Sequence, residues 1–387
     1  MRSCAVKGAE LKRRWGEVFA GEGGGELVEV WAPGRVNLIG EHTDYNEGWV
    51  CPMALGLGTR VVCRGRADGL VRVWSETMGE MVEFSLEGEV EKGAAGWGRY
   101  VRGVGEALRR GGGFWRGMEA VIGSDLPAGA GLSSSAALEV AVGLAQLAVN
   151  GVEMERVELA LACQWAEHAY AGVPCGIMDQ MVCALGEQGK ATLLDCRDRS
   201  WRQVALGEAA RVVVVNSGVK HALAGWEYAE RRRKCETAVS GLRETFPTVR
   251  SLRDVTLAML EAGGAGMDAV VLRRARHVIT ENARTLAFAA GLERGDYAGC
   301  GKLMYESHAS LRDDYEVSCA ELDALVEIAR GLPGVWGARM TGGGFGGCAV
   351  ALVKAETVEA VGWEIEAGYW RGIGRRAEVI AAEDEKC

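Results

Sequence analysis

The sequence has no surplus of positive charge. It carries 44 Lys and Arg against 53 Asp and Glu, a formal net charge of -9. No polybasic tail or face dominates, which makes nucleic acid a poor partner. Two short basic runs, Arg231 to Lys234 and Arg273 to Arg276, lie in helical-looking stretches and read as solvated helix faces. There is no run approaching the ~20 apolar residues of a membrane span, so no membrane partner is expected. The first twenty residues carry charges throughout and have no apolar core, which predicts no secretory signal. Twelve cysteines are present, yet no two have the spacing of a zinc site or a thioredoxin-type motif. Cys163, Cys183 and Cys348 stand in apolar runs, where a reduced thiol behaves as a small hydrophobe. A reducing cytoplasm is the expected location. Internal repeats, low-complexity linkers and a Walker A sequence are all missing, and the last excludes a P-loop enzyme.

What is present fits a soluble globular protein. The 387 residues correspond to two or three domains at about 150 residues each. Apolar residues make up 48%, enough to offset chain entropy and exclude wholesale disorder. The 56 glycines are the outlier. They cluster without a period, which excludes collagen and points to functional loops.

Patterning predicts a helix over 10–20 and strands over 27–31, 57–64 and 70–74, with a turn at Asp68-Gly69. Helices are predicted over 97–110, 133–150 and 153–171, and strands over 117–123, 190–195 and 211–215. From about 218 to 330 the pattern is helical, and 335–383 mixes both types. The interruption at Arg197 to Ser200 places a division near 200–210. The expected domains are 1–205 and 206–387.

Three runs carry chemistry. Residues 34–48, GRVNLIGEHTDYNEG, pack a cation, carboxylates, an imidazole and an amide into a strand-to-loop region. That density suits a polyhydroxylated ligand, whose hydroxyls are costly to bury unpaired. Residues 126–139, LPAGAGLSSSAALE, follow a strand and lead into an alanine-rich helix. Small residues let the backbone approach a ligand, and the helix start favours phosphate. The serine hydroxyls there suit phosphate oxygens or a metal. Residues 339–350, RMTGGGFGGCAV, match GxGxxG, but a strand-like run follows where a dinucleotide site needs a helix. In residues 175–180, CGIMDQ, the aspartate is either hydrogen-bonded structure or a functional carboxylate. Tyr228, beside Glu227 and ahead of the arginine run, reads by itself as a half-buried helix tyrosine.

Together these runs, in this order, resemble the galactokinases of the GHMP small-molecule kinase superfamily over about residues 10–383. Residues 34–48 look like that family's signature, 126–139 like the superfamily's phosphate loop, and 339–350 like its C-terminal glycine motif. The resemblance implies an α+β, two-domain GHMP kinase fold. Its N-terminal part would be a ribosomal S5-like α/β domain and its C-terminal part ferredoxin-like. It implies transfer of the ATP γ-phosphoryl group to the anomeric hydroxyl of galactose, with Mg2+ as cofactor and the protein a monomer. By the same resemblance Asp179 is the catalytic aspartate and Arg35 its partner. Glu41, His42, Asp44, Gly176 and Tyr228 would bind the sugar. Gly129, Gly131, Leu132, Ser133, Ser134 and Ser135 would hold the nucleotide phosphates, with Ser135 and Glu167 on the metal and Ser134 the alternative to Ser135. Trp97, in WGRYVRG, would stack on adenine. Whether Asp179 takes the proton or only stabilises the hydroxyl stays open. Two positions depart from the family: Gly343 replaces a common alanine, and Trp226 replaces a small residue. Alternative readings are a kinase for another sugar and a sugar-sensing regulator without catalysis.

Overall fold

The computed structural model describes residues 8–19, 26–112, 115–127, 129–219 and 224–381. In chain order the elements are α1 (Gly8–Val18), β1 (Val28–Asn37), β2 (Trp49–Val50), β3 (Pro52–Gly65), β4 (Leu70–Ser75), β5 (Glu80–Ser85), α2 (Gly98–Arg110), β6 (Met118–Ser124), α3 (Ser134–Asn150), α4 (Arg156–Ala166), α5 (Met178–Leu185), β7 (Lys190–Asp195), β8 (Trp201–Ala205) and β9 (Ala210–Asn216). They continue as α6 (Ala224–Thr245), α7 (Leu257–Gly263), α8 (Ala269–Glu293), α9 (Tyr297–Ser310), α10 (Ala320–Arg330), β10 (Val335–Thr341), β11 (Cys348–Lys354), α11 (Val358–Ile373) and β12 (Glu378–Ala381).

Among the described residues, eight strands form one sheet, β2-β7-β3-β6-β4-β5, with β1 paired to β3 and β8 to β7. The Asp68-Gly69 turn does not close a hairpin, because β6 lies between β3 and β4 and runs parallel to β4. Helix α3 packs on β1 and β3 through Ala136, Ala137, Val140, Ala141 and Ala145, all buried. Their short side chains let the helix axis sit close to the sheet, which brings its N-terminus beside the end of β1. The interruption at Arg197 to Ser200 is the turn joining β7 to β8, where Arg199 has a left-handed φ of 66° and Asp195 N–H donates to Ser200 O. The chain leaves the first sheet after Ala205 and enters the second at Ala210.

The second sheet has the order β10-β11-β9-β12 and is antiparallel throughout. Its connectivity, strand–helices–strand–strand–helix–strand, is ferredoxin-like. Alternate residues of β9 face two cores: Val212 and Val214 pack with the N-terminal core, Val213 and Val215 with α10 and α11. The second sheet is therefore welded to the first half through an apolar face. A third core joins α6, α7 and α8 to Leu311, Tyr315, Val317 and Phe345. Among the described residues no helix is long and apolar enough to cross a membrane.

Candidate active site

The site is assembled where β1, the start of α3, the start of α5 and the β10–β11 loop converge. Strand β1 carries a bulge between Pro33 and Arg35. Proline has no N–H to offer a ladder, so it is tolerated there, and the bulge re-aims the next side chain. Gly34 is required at this point, because a Cβ would fall 2.7 Å from the Leu132 carbonyl oxygen. The Arg35 backbone N–H donates to Leu132 O at 3.2 Å, and its Nη1 donates to Gly131 O at 2.5 Å. The phosphate loop is thus pinned to β1 by Arg35.

Asp179 lies in the first turn of α5, where the helix dipole favours a carboxylate. Arg35 Nε and Nη2 donate to its two oxygens at 2.8 and 2.9 Å, a bidentate pair. Burial works against the Arg35 charge, but Asp179 and then Glu41 outweigh it and hold its pKa above the ordinary value.

The loop after β1 presents the other predicted residues. Glu41 is buried. Its Oε2 accepts from Asn37 Nδ2 at 3.0 Å and Arg339 Nη2 at 2.8 Å, and its Oε1 accepts from the Gly342 N–H at 2.7 Å. His42 has a left-handed φ of 61°, an uncommon conformation outside glycine. Burial first, and His277 second, push its pKa down to about 3, so the ring is neutral. Asp44 is pushed up to about 7 by burial and by the Asp179 charge. Gly176 packs directly on the Asp44 carboxylate, with which any Cβ would collide. Tyr228, on α6, places its ring 5.5 Å from that of His42. Arg35, Glu41, His42, Asp44, Glu167, Cys175, Gly176, Asp179, Tyr228, Gly342 and Gly343 all line one polar cleft of about 170 Å³.

The phosphate loop borders this cleft. Gly129 and Gly131 have φ of 73° and 76°, and Ser133 has 61° just ahead of α3. The Ser133 hydroxyl is buried and has no partner among the described residues. An orphaned buried hydroxyl at a helix start is poised for a ligand oxygen. Ser134 opens α3, and the Ser135 side chain hydrogen-bonds Glu167. Glu167 begins a π-helical turn, Glu167–Ala171, at the end of α4, closed by Gly172 at φ 76°. Such turns recur at functional sites. Gln180 Nε2 donates to Glu167 Oε2 at 2.6 Å and to Glu139 Oε2 at 3.2 Å, while Glu139 Oε1 has no partner among the described residues. Burial and the Asp179 charge push Glu167 up to about 7, and burial with the Glu167 charge drives Glu139 well above the usual range.

These groups fit a hard divalent cation. The donors are oxygens, and the buried carboxylates lack sufficient counter-charge. Among the described residues no three His, Cys, Asp or Glu converge into a cage.

The third glycine run closes the floor. Strand β11 follows it, so the dinucleotide reading is excluded. Gly342 has φ 83°, and a Cβ there would sit 3.1 Å from Gly131 O. Gly347 has φ 81°, with a Cβ 3.0 Å from Ala130 O. The glycines let this loop back directly onto the phosphate loop. Gly343 has no such need, since its Cβ would meet only Tyr228 at 3.8 Å. Trp97 lies at the start of α2, outside the cleft, and its indole N–H donates to Glu80 at 3.2 Å. The Trp226 side chain lies outside the described residues.

Sequence reasoning missed several residues that hold the site. Arg339 is fully buried and joins Glu41 and the Asn37 carbonyl. Glu281 on α8 accepts from the Gly40 N–H at 2.9 Å and from Ser307 at 2.6 Å. Gln180 and Glu139 stand inside recognised runs, and their polarity amid apolar neighbours was the available signal. For Glu281 and His277 there was none.

Comparison with known proteins follows this geometry. Residues 17–65 match the galactokinase galactose-binding signature, 99–187 the GHMP kinases N terminal domain, and 288–367 the GHMP kinases C terminal. A galactokinase of Chloroflexus aurantiacus is 50% identical over 349 residues, 90% of each chain. The Homo sapiens galactokinase is 47% identical over 358 residues, 90% of this chain and 88% of that one. The crystal structure of Lactococcus lactis galactokinase complexed with galactose superposes with a TM-score of 0.91 at 36% identity, covering 96% of this chain and 97% of that chain. The chain belongs to the galactokinase family, and its fold is that of the GHMP kinases.

Proposed function

We propose that this protein transfers the γ-phosphoryl group of ATP to the anomeric hydroxyl of D-galactose, giving galactose 1-phosphate and ADP. The observation that carries this reading is the bidentate Arg35–Asp179 pair in a polar cleft bordered by the phosphate loop. Phosphoryl transfer passes through a loose transition state, so catalysis rests on positioning and charge neutralisation. Asp179 accepts the hydrogen bond of the attacking hydroxyl and orients its oxygen. Arg35 holds the Asp179 carboxylate in a bidentate pair and, through Gly131, fixes the distance from that carboxylate to the phosphate loop. Glu41, His42, Asp44, Tyr228 and the Gly176 backbone hold the sugar hydroxyls. Backbone groups of Gly129, Gly131 and Leu132, with Ser133 and Ser134, hold the phosphates. Ser135 and Glu167 would hold Mg2+, and Trp97 the adenine. A Mg2+ ion held by Ser135 and Glu167 would supply positive charge to offset that of the phosphates.

We propose also that the two domains divide at 205/206, between the two sheets, and that the protein acts as a monomer in the cytoplasm.

The test is ADP release with Mg·ATP against galactose, N-acetylgalactosamine, glucose, arabinose and no sugar. Turnover dependent on galactose is expected. Turnover on another sugar would reassign the substrate. Binding of galactose without turnover would point to a regulator.

A further inference from the structure

His42 hydrogen-bonds backward into the protein at both ring nitrogens. Its Nε2 lies 3.2 Å from the Gly343 carbonyl oxygen, and its Nδ1 lies 2.8 Å from the Tyr45 hydroxyl. A carbonyl oxygen has no hydrogen to give, so Nε2 carries one and donates. In a neutral ring Nδ1 then accepts, and Tyr45 donates to it. Tyr45 has only one hydroxyl hydrogen. Its 2.8 Å contact with the Tyr315 hydroxyl is therefore a bond accepted from Tyr315. Tyr315 has spent its own hydrogen in turn, so its 3.2 Å contact with Cys235 Sγ is accepted from the thiol. One carbonyl thus sets the direction of every bond in the chain Cys235–Tyr315–Tyr45–His42–Gly343.

The surroundings support that order. Cys235 and Tyr315 are 1% and 0% exposed. Burial keeps Tyr315 and Tyr45 protonated and pushes Cys235 up to about 11, so each link retains its hydrogen. The Tyr315 ring is held between His42 and His277, with centroids 4.8 and 4.6 Å away. His42 and Gly343 line the same cleft, so a ligand oxygen bound there would share or compete for the Nε2 hydrogen that Gly343 O accepts.

We propose that the Gly343 carbonyl sets His42 as the Nε2–H tautomer and that Tyr45, backed by Tyr315 and Cys235, is a positioning residue that supports it by donating to Nδ1, so that the cleft offers a sugar hydroxyl a donor at Nε2 and never an acceptor. The tautomer lock stands on this geometry together with the neutral ring that burial imposes, while its consequence for the sugar rests on the function proposed above. The chemical outcome is specificity by direction. A galactose analogue with fluorine in place of the hydroxyl that meets His42 keeps an acceptor, whereas the deoxy analogue does not.

The test is long-range 1H–15N NMR of histidine-labelled full-length protein without ligand, with His42 assigned by its loss in His42→Gln. A pyrrole-type Nε2 and a pyridine-type Nδ1, unchanged across neutral pH, are expected. An Nδ1–H ring or an imidazolium would overturn the proposal. Tyr45→Phe should move the Nδ1 resonance downfield as it loses its donor, and lower galactose kcat/KM by about tenfold with a smaller change in the KM for ATP. Tyr315→Phe, one link deeper, should retain the tautomer and cost less. A Tyr315→Phe effect as large as that of Tyr45→Phe, with no change in the His42 spectrum, would reduce these residues to structural support and overturn the lock. A protein with the expected spectrum that ignores galactose would unseat the substrate reading and leave the lock supported.

Discussion

Asp44 shows how a single carboxylate connects the site to the stability of the fold. In an unfolded chain an aspartate titrates near about 4. In the fold it is pushed up to about 7, by burial first and the Asp179 charge second. Below about pH 4 both states are protonated and the group contributes nothing. Between about pH 4 and 7 the unfolded chain releases the proton while the folded chain keeps it, so stability falls as pH rises. Above that window the penalty is fully present. Asp44→Asn removes this component. Thermal unfolding of the ligand-free protein should therefore show the wild type losing stability relative to Asp44→Asn between about pH 5 and pH 8. Parallel curves would contradict the assignment. Most of these residues were legible because their chemistry is unusual for their neighbourhood: five polar groups stand between Gly40 and Asn46, and Asp179 is the one charged group in the apolar run 175–185. The partners that shift their behaviour were not. That Gly176 must be a glycine follows only from its contact with Asp44, 132 positions away in the chain.

At the scale of elements, the β10–β11 loop separates glycines that are needed from one that is not. Gly342 combines a φ of 83° with close approach to Gly131 O. Gly342→Ala should cost about 1–3 kcal/mol of stability, read by denaturant unfolding, and weaken the phosphate loop that it supports. Gly343 has neither constraint, and Gly343→Ala should be neutral or stabilising by up to about 1 kcal/mol through the unfolded chain. Equal losses at the two positions would contradict this account of the loop. The departure from the family at 343 is thus sterically harmless. Helix and strand identities were largely readable from periodicity, as for α2 and β6. Pairing was not. The short β2, β5 and β8 went unread, because β5 is mostly exposed and β2 has two residues. The irregularity at Arg197 to Ser200 is a hairpin turn, and local composition does not distinguish such a turn from a linker.

At the scale of the whole molecule, the loop after β1 belongs to the N-terminal half but is held by the C-terminal half. Glu281 accepts from the Gly40 N–H, His277 Nε2 donates to Glu41 O at 3.1 Å, and Asn282 Oδ1 accepts from the Trp49 N–H at 2.8 Å. Arg339 and Glu41 form a buried ion pair across the same junction. Burial is the largest influence and raises the Glu281 pKa, but Arg284, His277, Arg339 and the Ser307 hydrogen bond together more than offset it, and the group is pulled to about 2. Its stabilisation is present above the unfolded value and is lost as pH falls toward 2. Glu281→Gln should cost about 3 kcal/mol near neutral pH, since it removes the buried carboxylate that pairs with the half-buried Arg284 and leaves that charge uncompensated. A loss below about 1 kcal/mol would show that α8 does not hold the loop. None of this grip could be read from residues 218–330, whose pattern shows helices and not what their polar residues reach.

The central claim is that Asp179, paired with Arg35, directs phosphate onto the anomeric oxygen. The most direct measurement is 31P NMR of the products formed from Mg·ATP and galactose by the wild type and by Asp179→Asn. The account predicts one anomeric sugar phosphate and ADP from the wild type, and neither from the variant although it still binds ATP. Inorganic phosphate as the main product, phosphate on another hydroxyl, or an anomeric phosphate formed at an undiminished rate by Asp179→Asn would contradict it.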